Sequence, residues 1–258
     1  MKDKQPTKRF TSRVENYVRY RPGYPAAILP LLREQTGLLP NWAIADIGSG
    51  PGNLARLFLD NGYSVIGVEP NDAMREAGEA LLSSNSRFSS VKGSAESTTL
   101  LENSIDLVTA GQAFHWFDPS ATRIEFQRIL RNSGWVALIW NKRSEGSAPI
   151  LDAWSEMLSK HSPEYNHVRH RDEAAHEGMT VLFGDAGYRT FTFPHEQALD
   201  SEAFWGRLIS SSYTPLPGEP GHEEIRARSQ EIFDEHEVDG VVRFPYETRV
   251  HIGQIRAK

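Results

Sequence analysis

The sequence predicts an α/β fold: a doubly wound sheet, mostly parallel with an antiparallel C-terminal strand, covered by a helical lid. Three observations predict it. Short apolar runs alternate with helical patterns from "WAIADIG" to "WVALIWNKR", the signature of strands joined by crossover helices. The runs are apolar along their length, as strands covered on both faces must be. The first run ends in the glycine-rich stretch "ADIGSGPGN", Ala45 to Asn53, which opens directly into a helical pattern.

Residues 1–10 are polar and predict a disordered leader, with one domain over 11–258. "TSRVENYVRY" reads as a helix that stops at Arg21-Pro22, because the residue before a proline leaves the helical region. "YPAAILPLLREQTG" reads as a second helix closed by Gly37. Together they form a helical cap over 11–37. "WAIADIG" is the first strand. "NLARLFLDNG" is a helix with an apolar face at Leu54, Leu57 and Leu59 and a stop at Gly62. "YSVIGVEP" is the second strand, and "NDAMREAGEALLSS" a helix capped by Asn71 or Asp72. "RFSSVKG" and "SIDLVTAG" are the third and fourth strands. Asp118 as N-cap and Pro119 at the first helical position start a helix predicted to run to Asn132 and Gly134. "WVALIWNKR" is the fifth strand.

The C-terminal part supplies the lid, at about 145–240. "APILDAWSEMLSKH" is helical, 161–178 reads as loop or irregular helix, and "YRTFTFPHEQ" alternates like a strand. "SEAFWGRLISSS" is helical, "PLPGEPGHEE" is a loop, and "EEIRARSQEIFDEHE" is a charged amphipathic helix. "VVRFPYETRVHIGQI" is the last strand, in which Pro245 predicts an edge position or a bulge.

Composition narrows the function. The 258 residues carry 28 Lys and Arg against 34 Asp and Glu, a net charge of −6. That argues against a nucleic-acid backbone as partner. The absence of cysteine excludes disulfides, thiolate metal sites and a cysteine nucleophile. "MKDKQPTKRF" lacks the apolar core of a signal peptide, and "WVALIW" is too short to span a bilayer. These features predict a cytoplasmic protein with no membrane partner. His161, His167, His170 and His176 include a pair with metal-ligand spacing, but their charged surroundings predict a solvated segment and no metal. No feature fixes an oligomeric state.

Gly48, Gly50 and Gly52 follow the first strand directly. A dinucleotide fingerprint needs glycine or alanine where Asn53 stands, and a phosphate-binding P-loop needs Gly-Lys-Ser/Thr at the end of its turn. Glu69 ends the second strand, 21 residues after Gly48. There a carboxylate can accept two ribose hydroxyl hydrogens. The turn therefore reads as one for a nucleoside without a pyrophosphate.

At these residues the chain resembles a known family. "ADIGSGPGN" and "VIGVEP" are similar to the first two motifs of class I S-adenosylmethionine-dependent methyltransferases. "YVRYRPGYP", "GSAES" and "TAGQAFHWFD" resemble the small-molecule branch that includes trans-aconitate-methyltransferase-like (methyltransferase type 11) proteins, as do "SSSYTPLPGEPG" and "DGVVRFPYETRV". The resemblance extends over residues 10 to 257. It implies a Rossmann-like fold, S-adenosylmethionine as cofactor, and methyl transfer to a small-molecule acceptor by in-line displacement.

The resemblance also implies roles. Gly48, Ser49 and Gly50 would face the methionine end, with Asp46 binding its ammonium and Arg21 reaching its carboxylate. Glu69 would grip the ribose. Pro70 and Met74 would line the adenine pocket, Ala95 and Glu96 would meet the adenine edge, and Gln112 would meet the methionine portion. His115 is the candidate general base. Tyr17, Tyr20, Trp116, Trp205 and Tyr213 would wall the acceptor pocket. The alternatives are packing for Met74 and the tyrosines, a solvated helix start for Glu96, loop stabilisation for Asp46, and a wall position for His115. Two other function classes stay open: a non-catalytic S-adenosylmethionine-binding protein, and a dinucleotide-dependent oxidoreductase, which would need glycine in place of Asn53.

Overall fold

Among the described residues, seven strands form one sheet in the order β3-β2-β1-β4-β5-β7-β6. They are β1 Ala43–Ile47, β2 Ser64–Val68, β3 Phe88–Val91, β4 Ile105–Gly111, β5 Leu130–Lys142, β6 Arg189–Leu199 and β7 Val242–Gly253. The computed structural model describes residues 13–143, 146–162, 164–165 and 171–255. The expected leader at 1–10, and His167 and His170, lie outside them. β1 pairs in parallel with β2 and β4, and β2 with β3, β4 with β5. β7 alone runs antiparallel, against both β5 and β6. β2 and β3 lie on one side of β1 and β4 on the other, so the order reverses beside β1. Ligands of such sheets lie beyond the strand carboxyl ends at that reversal.

The helices are α1 Val14–Tyr20, α2 Ile28–Thr36, α3 Asn53–Leu59, α4 Asp72–Leu82, α5 Pro119–Ile129, α6 Pro149–His161, α7 Arg171–Phe183, α8 Ser201–Ile209 and α9 His222–His236. Their starts follow the capping chemistry of the sequence. Asn71 Oδ1 accepts from Met74 N at the head of α4, and Asp118 Oδ1 accepts from Ser120 N and Ala121 N at the head of α5. Apolar cores fill both faces of the sheet. One gathers Ile44, Phe58 and Leu107, the other Ile47, Val108 and Phe126.

A third core lies off the sheet. The residue 195–199 part of β6 and the 242–246 part of β7 extend past β5 as a two-stranded ribbon. α6, α8 and α9 bury their apolar faces with it. Trp154 stands edge-on to Phe204 and Phe244, with ring centroids 5.0 and 4.9 Å away. Emptying such a site costs about 3–5 kcal/mol. α1 joins this layer: Tyr20 packs on α8 where a Cβ on Gly206 would lie 2.2 Å from its ring.

Two expectations need correction. α5 ends at Ile129, and Leu130 to Gly134 already belong to β5 instead of continuing the helix to Asn132 and Gly134. Leu130 pairs with Ile105, and Gly134 folds so closely back that a Cβ there would lie 2.7 Å from Leu130 Cδ2. Pairing and burial override a locally helical pattern. Over 171–178 the chain is part of the regular helix α7, whose apolar anchors Met179, Leu182 and Phe183 sit at its far end. Pro245 behaves as an edge residue although β7 is internal. It faces Glu196 of β6, and β5 pairs with β7 only from Glu247 onward. Among the described residues, no helix is long and apolar enough to cross a membrane.

Candidate functional site

β1 delivers Asp46 to the sheet's carboxyl edge, and the glycine turn folds over the end of β2. Gly48 N and Ser49 N both donate to Val68 O, at 2.8 and 3.2 Å. Two glycines are required here. Gly48 has φ +67°, and a Cβ would lie 2.7 Å from Ala113 Cβ; Gly52, the α3 N-cap at φ +89°, would meet Leu82 Cδ1 at 2.4 Å.

A cleft opens at this point. Its floor is Asp46, Gly48, Ser49, Pro51, Asn53 and Leu54, and the ends of β4 and β5 add Gly111, Gln112 and Asn141. The helical cap closes it with Tyr17, Arg21, Pro22 and Tyr24.

Asp46 is the electrostatic centre of the floor. It is 1% exposed, and its Oδ1 accepts from Thr109 Oγ1 at 3.0 Å. Burial pushes its carboxyl up to about 7, although Thr109 and the Ala55 amide pull it down; nearby Glu69 pushes it further up. Glu69 Oε2 accepts from Gly50 N and Oε1 from Asn71 N, both at 2.9 Å. It is raised by burial, against the pull of those two amides and Arg75. Gln112 holds the left-handed conformation at φ +56°, with its N donating to Ile139 O and its Nε2 to Asn141 O. Such strain persists where surrounding contacts over-determine it.

The cap is tied down by Asn141. Its Nδ2 donates to Gly23 O at 2.8 Å and its Oδ1 accepts from Thr248 Oγ1 at 2.6 Å. Tyr24 lies against β4, where a Cβ on Gly111 would come 2.5 Å from its hydroxyl.

The structure brings Tyr17, Arg21, Asp46, Gly48, Ser49 and Gln112 together around the cleft. Gly50 and Glu69 stand just behind its floor, joined to each other. The remaining candidates lie off its lining. Pro70 is half-buried beyond β2, and Met74 is buried on α4. Ala95 packs in the core with Phe114, and Glu96 Oε1 accepts from Asp118 N at 2.9 Å. His115 and Trp116 sit half-buried on the 3-10 turn Phe114–Trp116, ring centroids 5.0 Å apart. Tyr20 points away to α8, donating to Glu202 Oε1 at 2.8 Å. The reason is local: α1 ends at Tyr20 and extended Arg21 before Pro22 turns the chain, so the cleft receives Tyr17 and Tyr24 instead. Trp205 is engaged with His222 and with the Arg226 guanidinium. Tyr213 accepts from Arg143 Nη2 at 3.0 Å.

Asn141, Gly111 and Tyr24 line the cleft without any role expected of them from the sequence. Asn141 carries a usable signal, the first polar residue after the apolar run "WVALIW" at a strand's carboxyl end. Among the described residues, no cluster of three or more His, Asp or Glu is arranged to hold a metal ion.

Comparison with known proteins agrees with this fold. A family model described as a methyltransferase domain matches residues 45–138. An uncharacterized methyltransferase of Mycobacterium tuberculosis is 36% identical over 138 residues, 53% of each chain. The chain thus matches about half the length of these curated relatives. An uncharacterized methyltransferase-like protein of Schizosaccharomyces pombe is 25% identical over 229 residues, 87% of this chain and 86% of that one. Among solved structures, a provisional type II methyltransferase from Anaeromyxobacter dehalogenans superposes with a TM-score of 0.71 at 20% identity, covering 93% of this chain and all of the other. A phosphoethanolamine N-methyltransferase 2 of Haemonchus contortus, solved with phosphomonomethylethanolamine and S-adenosylhomocysteine, shares the fold at a TM-score of 0.53 and 13% identity, covering 96% of this chain and 58% of that one.

Proposed function

We propose, for a chain with a methyltransferase domain over residues 45–138 and the class I methyltransferase fold around it, that it transfers the methyl group of S-adenosylmethionine to a small-molecule acceptor. The observation that carries this reading is Asp46, a fully buried carboxylate on the cleft floor, held near 7 and adjoining the glycine turn. A buried acid whose ionised form is penalised favours a cationic partner, and the cofactor's α-ammonium supplies one. Glu69 fits a ribose, because each of its oxygens accepts one backbone amide and keeps a lone pair for a hydroxyl.

When bound, the cofactor supplies an electrophilic methyl on a sulfonium. The chain's task is then alignment and exclusion of water. Tyr17, Pro22 and Tyr24 cover the cleft from above, and Gln112 and Asn141 fix the strand ends beneath them. His115 is retained as the residue that takes a proton from an acceptor hydroxyl or ammonium, reached from the turn that follows β4. Gly48, Ser49, Gly50, Pro70, Met74, Ala95 and Glu96 are retained around the cofactor. Trp116, Trp205 and Tyr213 are retained toward the acceptor, the helical parts of 13–37 and 146–240 acting as its lid.

The test is direct calorimetry with S-adenosylhomocysteine, S-adenosylmethionine and NADH, followed by a metabolite screen with methyl-labelled cofactor. Binding of the first two and labelled product in the screen support the reading. NADH binding tighter than S-adenosylmethionine overturns it; cofactor binding with no labelled product from any acceptor favours a non-catalytic binder.

A further inference from the structure

A concentration of positive charge adjoins the cleft, apart from the glycine turn, with Arg207 buried and Arg21 and Arg143 half-buried. Arg21 from the cap, Arg143 just after β5 and Arg207 of α8 converge on the 210–213 turn. Arg21 Nη2 and Arg207 Nη1 both donate to Ser211 Oγ, at 3.4 and 3.3 Å, and Arg21 Nη2 also to Ser210 O at 3.1 Å. Arg143 Nη2 donates to the Tyr213 hydroxyl at 3.0 Å, and Arg207 Nε to the Tyr246 hydroxyl at 2.9 Å. Two donors, Arg21 Nε and Arg143 Nη1, are buried without a partner. Among the described residues, none of the three guanidiniums forms an ion pair with a carboxylate.

Three guanidiniums crowd this turn in a chain whose net charge is −6, and although burial pulls Arg143 down, the neighbouring Tyr213 and Tyr165 hydroxyls hold it above its ordinary value. Burial, then Arg207, pulls Arg21 down to about 10. Burial pushes the Tyr213 hydroxyl up, yet Arg143, Arg207 and Arg21 bring it down to about 7. Buried guanidiniums used only for packing are normally matched by carboxylates, since an unmatched buried charge is costly. Planar guanidinium forks fit the oxygens of a carboxylate or phosphate. The cluster is continuous with the cleft through Arg21 and through Tyr17, whose ring lies 4.9 Å from the Arg21 guanidinium.

We propose that Arg21, Arg143 and Arg207, Arg21 here in place of the cofactor-carboxylate role the resemblance gave it, form an anchoring subsite beside Tyr213 for an anionic group, a carboxylate or phosphate, carried by the methyl acceptor, and that methyl transfer takes place at another nucleophile of that acceptor. The transfer part rests on the proposed function; the anion site does not. An oxyanion clamped by guanidiniums has its lone pairs engaged and is a poor nucleophile. The second nucleophile gives its lone pair to the methyl carbon as the carbon–sulfur bond breaks. That bond's electrons stay on sulfur as a neutral thioether, and any proton on the nucleophile passes to His115 or water.

The experiment titrates inorganic phosphate and succinate into the whole protein at constant ionic strength of about 0.15 M, with chloride as the control. Saturable binding that raises the melting temperature is expected, and the tighter of the two probes identifies the group. Arg143→Gln and Arg207→Gln should each weaken that binding about tenfold or more, the loss of a charge-assisted hydrogen bond, with S-adenosylhomocysteine affinity unchanged. Tyr213→Phe, which keeps all three cations, should retain most of it. Binding no tighter than chloride, or binding that both arginine variants leave intact (an adventitious ion only), overturns the proposal. So does a loss of melting temperature with no loss of anion affinity, the mark of arginines that only pack. If Arg207→Gln does not fold, the half-buried Arg143 decides. Anion binding without any S-adenosylhomocysteine binding would leave the anchor standing and remove the methyl-transfer reading instead.

Discussion

Replacing Asp46 by Asn tests the electrostatics of the cleft floor, and the effect has a definite sign. The Asp46 carboxyl titrates at its ordinary 3.8 when unfolded and at about 7 in the folded chain, chiefly because burial disfavours the charged form. Between those values the folded state keeps a proton that the unfolded state has released, so stability falls as pH rises through the window. Below the window the loss is absent, and above about 7 it is complete. At ~1.4 kcal/mol per tenfold, the full loss is about 4 kcal/mol.

Asp46→Asn removes the ionisation and keeps both contacts within reach, because its oxygen can accept the Ala55 amide while its N–H₂ donates to the Thr109 hydroxyl, which accepts as well as donates. Measured by urea unfolding from pH 5 to 8, the variant's stability should stay nearly level while the parent's falls, so the variant gains about 2–3 kcal/mol on the parent across the range. In the opposite direction, S-adenosylhomocysteine binding should weaken by roughly 1.5–3 kcal/mol, the value of a charge-assisted hydrogen bond. Binding to the parent at pH 6 should release a proton, read by calorimetry in two buffers of different ionisation enthalpy. Parallel stability profiles for parent and variant across this range, with no proton released, would refute the reasoning: Asp46 would then be ionised and satisfied in the empty protein.

Three further outcomes are expected. Glu69→Ala should weaken S-adenosylhomocysteine binding by roughly 1.5–3 kcal/mol for each ribose hydroxyl left without its carboxylate acceptor; unchanged affinity by calorimetry would remove the ribose role. His115→Ala should lower turnover with an identified acceptor about 10²–10⁴-fold and flatten one limb of the pH profile; full activity with an unshifted profile makes it a wall residue. Hydrogen exchange should show residues 13–25 gaining protection when S-adenosylhomocysteine is added, as a closing lid does. Core-like protection in the empty protein would mean that the Tyr20–Gly206 packing and the Asn141–Gly23 bond already fix the cap.

What could be read from the sequence follows from how far each constraint reaches along the chain. β4 writes its two-sided burial into one continuous run, and the glycine turn writes its backbone into Gly48 and Gly52, so strands and turn are local signals. The end of α5 is not local, since Leu130 leaves the helix to pair with Ile105. The cap shows the same limit at finer scale. Three-residue spacing puts Tyr17 and Tyr20 on one helical face, but Arg21 and Pro22 end that helix. Tyr17 then meets Tyr24 over the cleft, and Tyr20 goes to Gly206.

The arginines show why net charge is a poor guide to a site. Arg21, Arg143 and Arg207 stand far apart in a chain of net charge −6, and of the three only Arg21 carries an expected role from the sequence. The topology makes them neighbours. The cap precedes β1, Arg143 follows β5, and α8 follows β6, and the edge of the sheet carries all three to one turn at Ser211. Acidic side chains elsewhere do not cancel this field. Charges on the surface are screened within about 8–10 Å by salt, and buried ones are screened far less. On the proposed reading, a few enclosed groups of both signs set the recognition chemistry of the cleft. Asp46 on the floor favours a cation, and the arginine cluster beside the cap favours an anion. If both proposals hold, the Asp46 floor would take a zwitterionic ligand while the cluster joined to the cleft through Arg21 takes an acidic one, the side-by-side arrangement that a transfer between two bound molecules needs.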